Sequence, residues 1–430
     1  MSRKNLSGVI IISFTLTIFL LAFCQSCKNQ PEEKKDTRVA LELNKVIHND
    51  LSDTSSLEGM DKQIRRYMGQ WELRGATLTI MRNDSLLFSK GYGWADEEKD
   101  KRMDASNIMR IASVSKLITA TGIMVLQEQG KLSLADTVFG PHAILKDSTY
   151  LSSIRDKNYY KITVEDLLRH EGGFRGSDPM FTTRTIMMQN HLEEAPDSKE
   201  LASIVLKRRL RFVPGTSRSY SNFGYLLLSM IIEEVSGEPY EKFIRKNVLE
   251  PAGCYDMHIA KNYYSQKYKN EVRYYVPSNE PMIEEYNNSG RMVIRCYGGN
   301  NIEALSGAGA WVASTPELAR FVASIDGKPS VPDIISKESV RLMTAYYDKA
   351  TYSLGWNDTN PKIGWTRTGT LSGTTALIKY FPDGECWIFL SNNSTWKGPG
   401  FSRYTSALFS RLRQAYSDKL PVRDLFWKQK

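Results

Sequence analysis

Apolar positions in this chain repeat at two periods. Around residues 75–93 and again around 374–392 they alternate with polar or small residues. "GATLTIM" and "LLFSKGYG" are separated by the turn residues Asn83-Asp84, and "TTALIKYF" and "CWIFLSN" by Pro382-Asp383-Gly384. Such runs, broken by turn chemistry, predict a β-hairpin at each place. Between them the period lengthens to helical spacing over 112–130, 163–169, 198–209, 222–236 and 240–248, with Gly237 and Gly253 as stops. A last helix is predicted over 401–416, where Phe401, Leu408 and Leu412 form one stripe. Strand-rich ends around a helical middle predict an α/β fold of the α+β kind. One antiparallel sheet takes both hairpins, helices flank it, and a mainly helical lobe is inserted over about 117–300.

The N-terminus follows a different pattern. Arg3 and Lys4 precede an apolar run from Val9 to Phe23, short for a membrane span, and polar sequence follows directly. "LLAFCQSCKN" then sets Cys27 after the small residue Ser26. This resembles a bacterial lipoprotein signal, in which the cysteine becomes the lipidated first residue, although Cys24 stands where leucine is usual. An ordinary cleaved signal and an uncleaved anchor are the alternatives. The expected organisation is a signal over 1–27, a flexible polar tether over 28–57, a catalytic domain over 58–420 and a C-terminal tail over 421–430. The expected location is the bacterial cell envelope, lipid-anchored in the periplasm or at the outer surface.

Composition narrows the partners. The chain of 430 residues is 41% hydrophobic and 24% charged, ordinary for a globular protein. Its formal net charge of +9 favours anionic ligands or surfaces. Lysines and arginines are scattered and no nucleic-acid motif is present, so nucleic acid is not the expected partner. No obligate protein partner is indicated. Beyond Cys27, the cysteines Cys254, Cys296 and Cys386 are an odd, widely spaced set, read as buried free thiols with a single bridge as the alternative. None of the five histidines has metal-site spacing, so no metal or other cofactor is expected. Residues 261–300 are rich in tyrosine, among them Tyr263, Tyr274, Tyr286 and Tyr297. They read either as a surface excursion with aromatic anchors or as a wall of a substrate pocket.

The chemistry starts at Ser113. Lys116 stands three residues on, at the start of an apolar helix, where positions i and i+3 share a face. A buried ammonium pairs or loses its proton, and a lysine so tuned can activate a serine hydroxyl. A serine at a helix start also places backbone N–H groups toward a developing oxyanion. Alone, S-x-x-K is a common pattern. Two further motifs follow in order: Tyr220-Ser221-Asn222 in "PGTSRSYSNFGY", and Arg367-Thr368-Gly369, followed by Thr370, in "GWTRTGTLSGTTA". The bland reading of the second is a helix cap from Ser219, Ser221 or Asn222.

As an ordered set, these motifs resemble the serine beta-lactamase and penicillin-binding-protein family, in its class C beta-lactamase, D-alanyl-D-alanine carboxypeptidase and esterase branch. The likeness extends over most of residues 60–415, through "KGYGWAD", "ITVEDLLRHEGGF" and "LSGAGAWVASTPELARF". It implies a beta-lactamase/transpeptidase-like fold. By the resemblance, Ser113 is the acylated nucleophile, Lys116 its proton partner and Tyr220 the proton shuttle. Asn222 holds the substrate, and the N–H groups of Ser113 and Thr370 form the oxyanion hole. His170-Glu171-Gly172 spells a variant of the third motif but lies between the first two, so His170 is read as mainly structural, fixing a loop beside the pocket. Arg367 departs from the usual lysine or histidine. Its fork suits a carboxylate, so Arg367, Thr368 and Gly369 are expected to face an anionic end of a small-molecule substrate.

The leading expectation is a serine hydrolase working through an acyl-enzyme on an ester, amide, D-amino-acid peptide or beta-lactam. An acyltransferase passing the acyl group to an alcohol or amine, such as an amphipathic sterol-like alcohol, is the first alternative. A non-catalytic beta-lactam or peptidoglycan sensor is the second.

Overall fold

Residues 41–175, 178–347 and 352–427 are described in a computed structural model. The signal-like segment, Cys27 and the first part of the tether lie outside the described residues.

Six strands form the main sheet: β1 (Gly75–Arg82), β2 (Ser85–Asp96), β3 (Lys101–Arg102), β4 (Trp365–Leu371), β5 (Thr374–Tyr380) and β6 (Glu385–Ser391), in the order β3-β2-β1-β6-β5-β4. The two predicted hairpins meet in the centre, where β1 runs antiparallel to β6 with Ala76 opposite Ser391 and Ile80 opposite Trp387. The β1–β2 turn places Asn83 and Asp84 at φ 47° and 61°, both in the left-handed region that a tight hairpin turn of this hand requires. Helices α1 (Glu58–Gln70), α2 (Ser115–Glu128), α3 (Asn222–Ser236), α4 (Thr315–Ala323) and α5 (Phe401–Tyr416) complete the frame.

Period-two patterning decides which side chain enters which layer. On β6, Trp387 and Phe389 join Met60, Ile64 and Tyr67 of α1 and Leu408, Phe409 and Leu412 of α5 in one core. The intervening Cys386, Ile388 and Leu390 face the opposite core, which holds α2, α3 and α4. The middle of the chain forms that second layer, with a small sheet of Met109–Arg110, Trp311–Ala313 and His258–Ile259. Cys254, Cys296 and Cys386 are all buried and free.

Two boundaries need correction. The segment read as a flexible tether, 28–57, is folded onto the domain from Leu41 onward: Leu43 and Ile47 are buried in the core. The segment read as a tail, 421–430, places Phe426 fully inside. The cause is the outer edge of β2, where β3 pairs only near Trp94 and Asp96. An open edge leaves N–H and C=O groups unpaired. Asn49 satisfies four of the groups near it, accepting from Gly91 N and Ala105 N and donating to Gly91 O and Met103 O. Ser52 Oγ accepts from Ser89 N at 3.0 Å. The C-terminal segment continues the seal through Leu425 N to Leu86 O (2.9 Å) and Arg423 Nε to Leu87 O (2.8 Å).

Candidate active site

Ser113 sits in a single 3₁₀ turn, Ala112–Val114, that feeds directly into α2. The residue before it, Ala112, has φ 47°, a conformation that costs a non-glycine residue about 1–3 kcal/mol. Its neighbours hold it there. Ile111 N donates to Trp311 O at 3.0 Å, and Arg110 is tied through both ends of its guanidinium to the carbonyls of Cys296 and Lys261. Arg110 N donates to the hydroxyl of buried Tyr274, so the tyrosine-rich stretch braces the turn from behind.

Lys116 is fully buried. Its Nζ lies 3.3 Å from Ser113 Oγ, 2.6 Å from Asn222 Oδ1 and 2.5 Å from Ala308 O. Burial lowers its pKa, and the nearby Arg367 charge adds to that, against an opposing pull from Tyr220. Ser306, two residues before that carbonyl, is another left-handed non-glycine at φ 40°.

Tyr220 arrives from the segment before α3. Ser221 is the helix cap, accepting from Gly224 N at 3.2 Å, which frees Tyr220 and Asn222 on either side to point at Lys116. Of the three cap candidates in the sequence, Ser221 is therefore the one that caps. The Tyr220 side chain is 37% exposed to the cleft, while its hydroxyl is enclosed among Lys116, Arg367 and Ser113. Burial alone would raise its pKa. The charges of Lys116 and Arg367, with hydrogen bonds to Lys116 and Ser113, outweigh this and bring it down to about 8. Behind it, the buried His170 ring packs on Tyr220 at 4.3 Å between centroids, and its Nδ1 accepts from Ser221 N at 3.1 Å. That bond places the ring proton on Nε2.

Arg367 is not where the sequence led us to expect it. Its side chain is fully buried and takes no part in the cleft wall. Nε and Nη2 both donate to the carbonyl oxygen of Ser113, and Nη2 lies 3.4 Å from the Tyr220 hydroxyl. The fork thus reads the backbone of Ser113 itself, because β4 lies against the Ser113 turn. Gly369 shows how close: a Cβ there would lie 2.3 Å from Ile111 O and 3.2 Å from Ser113 N. Asn222 is likewise committed, since its amide accepts from Lys116 and donates to Asp178 Oδ2 at 2.8 Å.

The cleft in front of Ser113 has a volume of about 350 Å³. Tyr220 and Asn222 form one wall, Thr368, Thr370 and Asn357 the other, and Phe181 and Pro399 the rim. Cavities of about 500 and 550 Å³ lie elsewhere, but neither contains Ser113 or Lys116. None of the residues 261–300 lines the cleft. Sequence reasoning missed Asp178, whose carboxylate accepts from the N–H groups of Asn222 and Phe223 at the start of α3, and Asn357, which accepts from Thr368 N and Oγ1. Both come from loops with no motif around them.

Comparison with known proteins finds relatives over most of the chain. A family model described as Beta-lactamase matches residues 60–409. PbpX, a protein of Bacillus subtilis (strain 168) named for penicillin binding, is 25% identical over 397 residues, which is 91% of this chain and 89% of the relative. The D-amino acid amidase of Ochrobactrum anthropi SV3, solved with L-phenylalanine amide, superposes with a TM-score of 0.63 at 17% identity, covering 85% of this chain and 99% of the amidase. The octameric penicillin-binding protein homologue from Pyrococcus abyssi superposes at 0.58 with 22% identity, covering 83% and 77%.

Proposed function

Because the chain belongs to the beta-lactamase family, we propose that it is a serine hydrolase that forms an acyl-enzyme on Ser113. The observation that carries this is the position of the buried Lys116 Nζ, in hydrogen-bonding reach of the Ser113 hydroxyl and held from its other sides by Asn222 and Ala308. An ammonium whose pKa is lowered by burial gives up its proton more readily and can then accept one from serine.

In this reading Ser113 Oγ bonds to the substrate carbonyl carbon as its proton passes to Lys116. Tyr220, within reach of both, relays that proton to the departing amine or alcohol, which leaves with the electron pair of its broken bond. Water then attacks the ester, giving its proton to the same pair, and Ser113 Oγ departs and is reprotonated. Arg367 fixes the carbonyl of Ser113 and places positive charge behind the cleft. A preference for an anionic substrate would arise from this field and from the Thr368 and Thr370 hydroxyls, not from a direct guanidinium clamp. The names of the relatives point to D-aminoacyl amides and penicillin-like amides as first candidates. A lipid anchor at Cys27 and a place in the cell envelope remain part of the proposal, supported by the sequence pattern alone.

The test is product analysis on a D-aminoacyl amide, its ester and a penicillin, with and without an added alcohol. Free acid, formed by the wild type and lost in Ser113→Ala and Lys116→Met, supports hydrolysis. A new ester in place of acid would make the protein a transferase. Acylation without turnover would make it a sensor.

A further inference from the structure

The outer face of the sheet carries cations that the proposed chemistry does not use. Exposed positions of α1 present Lys62, Arg65 and Arg66, and those of α5 present Arg403 and Arg411. Within these two helices the exposed carboxylate is Glu58, in the first turn of α1, while Asp61 turns inward to Lys90 and Tyr92. Among the described residues no carboxylate pairs with any of the five cations. Arg82 and Arg413, by contrast, are both bound to Glu385.

Where α1 ends and α5 begins, two aromatic side chains stand in solvent: Trp396 is 57% exposed and Tyr404 43%. Neither is loose. The Trp71 ring packs against them at 5.1 and 4.6 Å between centroids, and Phe401 packs in turn on Trp71. Trp396 belongs to the loop whose Pro399, three residues on, forms part of the rim of the catalytic cleft.

Each half of this face suits the same surroundings. Lysine and arginine near an anionic bilayer are attracted to its headgroups, and tryptophan and tyrosine favour the boundary between water and hydrocarbon. A soluble polyanion would use the cations but leave the two rings in water. We propose that this face rests on an anionic lipid surface, with Lys62, Arg66 and Arg403 toward the headgroups and Trp396 and Tyr404 at the interface. The mouth of the cleft, at Pro399, then lies beside the bilayer. The expected anchor at Cys27 would assist, since the 14 residues from it to Leu41 reach at most about 50 Å and keep the face at high local concentration.

The experiment uses the full chain carrying Cys27→Ser, which removes the acylation site. Its partition is measured onto vesicles of phosphatidylcholine alone and onto vesicles with about 30% phosphatidylglycerol. The ratio of the two cancels apolar binding by the N-terminal segment. The triple variant Lys62→Gln/Arg66→Gln/Arg403→Gln should lower this ratio by about two orders of magnitude, at roughly fivefold per cation. Trp396→Ala/Tyr404→Ala should weaken binding to both vesicles. An unchanged ratio in the triple variant overturns the proposal. So does a face that binds heparin as tightly with Trp396→Ala/Tyr404→Ala as without, while ignoring vesicles, because that describes a polyanion site. If the triple variant proves unstable, about 0.5 M salt on the unsubstituted face is the second measure. A ratio that survives such salt also overturns the idea.

Discussion

At the residue scale the central finding is where Arg367 points. The resemblance places a substrate-facing cation here and the guanidinium fork suits a carboxylate, but motif spacing reports neighbours along the chain and not burial across it. Packed against the Ser113 turn, its guanidinium instead holds the Ser113 carbonyl and stands 3.4 Å from the Tyr220 hydroxyl. Replacing it with glutamine should lower kcat/KM by about one to two powers of ten, the worth of charge-assisted hydrogen bonds. The pH profile gives a sharper check. Arg367 lowers the pKa of both Tyr220 and Lys116. Whichever of the two acts as base, the ascending limb should therefore move to higher pH in Arg367→Gln. An unmoved limb with reduced activity would make Arg367 a packing residue alone. Ser113, Lys116 and Tyr220 were legible because their motifs carry fixed spacings. Asp178 and Asn357 were not, since each reaches the site from a loop whose geometry only the folded chain defines.

At the element scale, the hairpins and the long helices follow from the two apolar periods. The edge of the sheet does not. Residues 41–57 are polar, and polarity reads as solvation, yet Asn49 and Ser52 bond to Gly91 and Ser89 on the open edge of β2. Asn49→Ala would leave several buried backbone groups unpaired and should destabilise the protein by about 2–3 kcal/mol. Phe426→Ala should cost about 3–5 kcal/mol, as expected for emptying a buried aromatic site. Urea unfolding of each variant measures this. A flexible tether and tail would leave both midpoints at the wild-type value.

For the whole molecule, stability should carry a pH dependence set far from the active site. Asp84, fully buried in the β1–β2 turn, faces Asp326, which is 8% exposed and accepts from the Tyr380 hydroxyl at 2.7 Å. Burial first, then the neighbouring Asp326 carboxylate, push the Asp84 carboxyl up to about 8. The folded protein thus keeps a proton that the unfolded chain releases near pH 4. The resulting stabilisation is complete below that value and is lost progressively as pH rises from about 4 to about 8. Asp84→Asn retains a donor, tolerates φ 61°, and should flatten the decline between about pH 5 and about pH 8. Equal slopes in the two proteins would place the dependence elsewhere.

At the same scale the fold brings Ser113 and Lys116 together, the pairing on which the proposed acyl-enzyme depends. Intact mass spectrometry after brief incubation with an activated D-aminoacyl ester, followed by peptide mapping, tests it most directly. A single acyl adduct on Ser113 is expected in the wild type. It should be absent in Ser113→Ala, and slower to form by about two to four powers of ten in Lys116→Met. An adduct on Ser115 or another residue, or one that forms at the wild-type rate without Lys116, would contradict it.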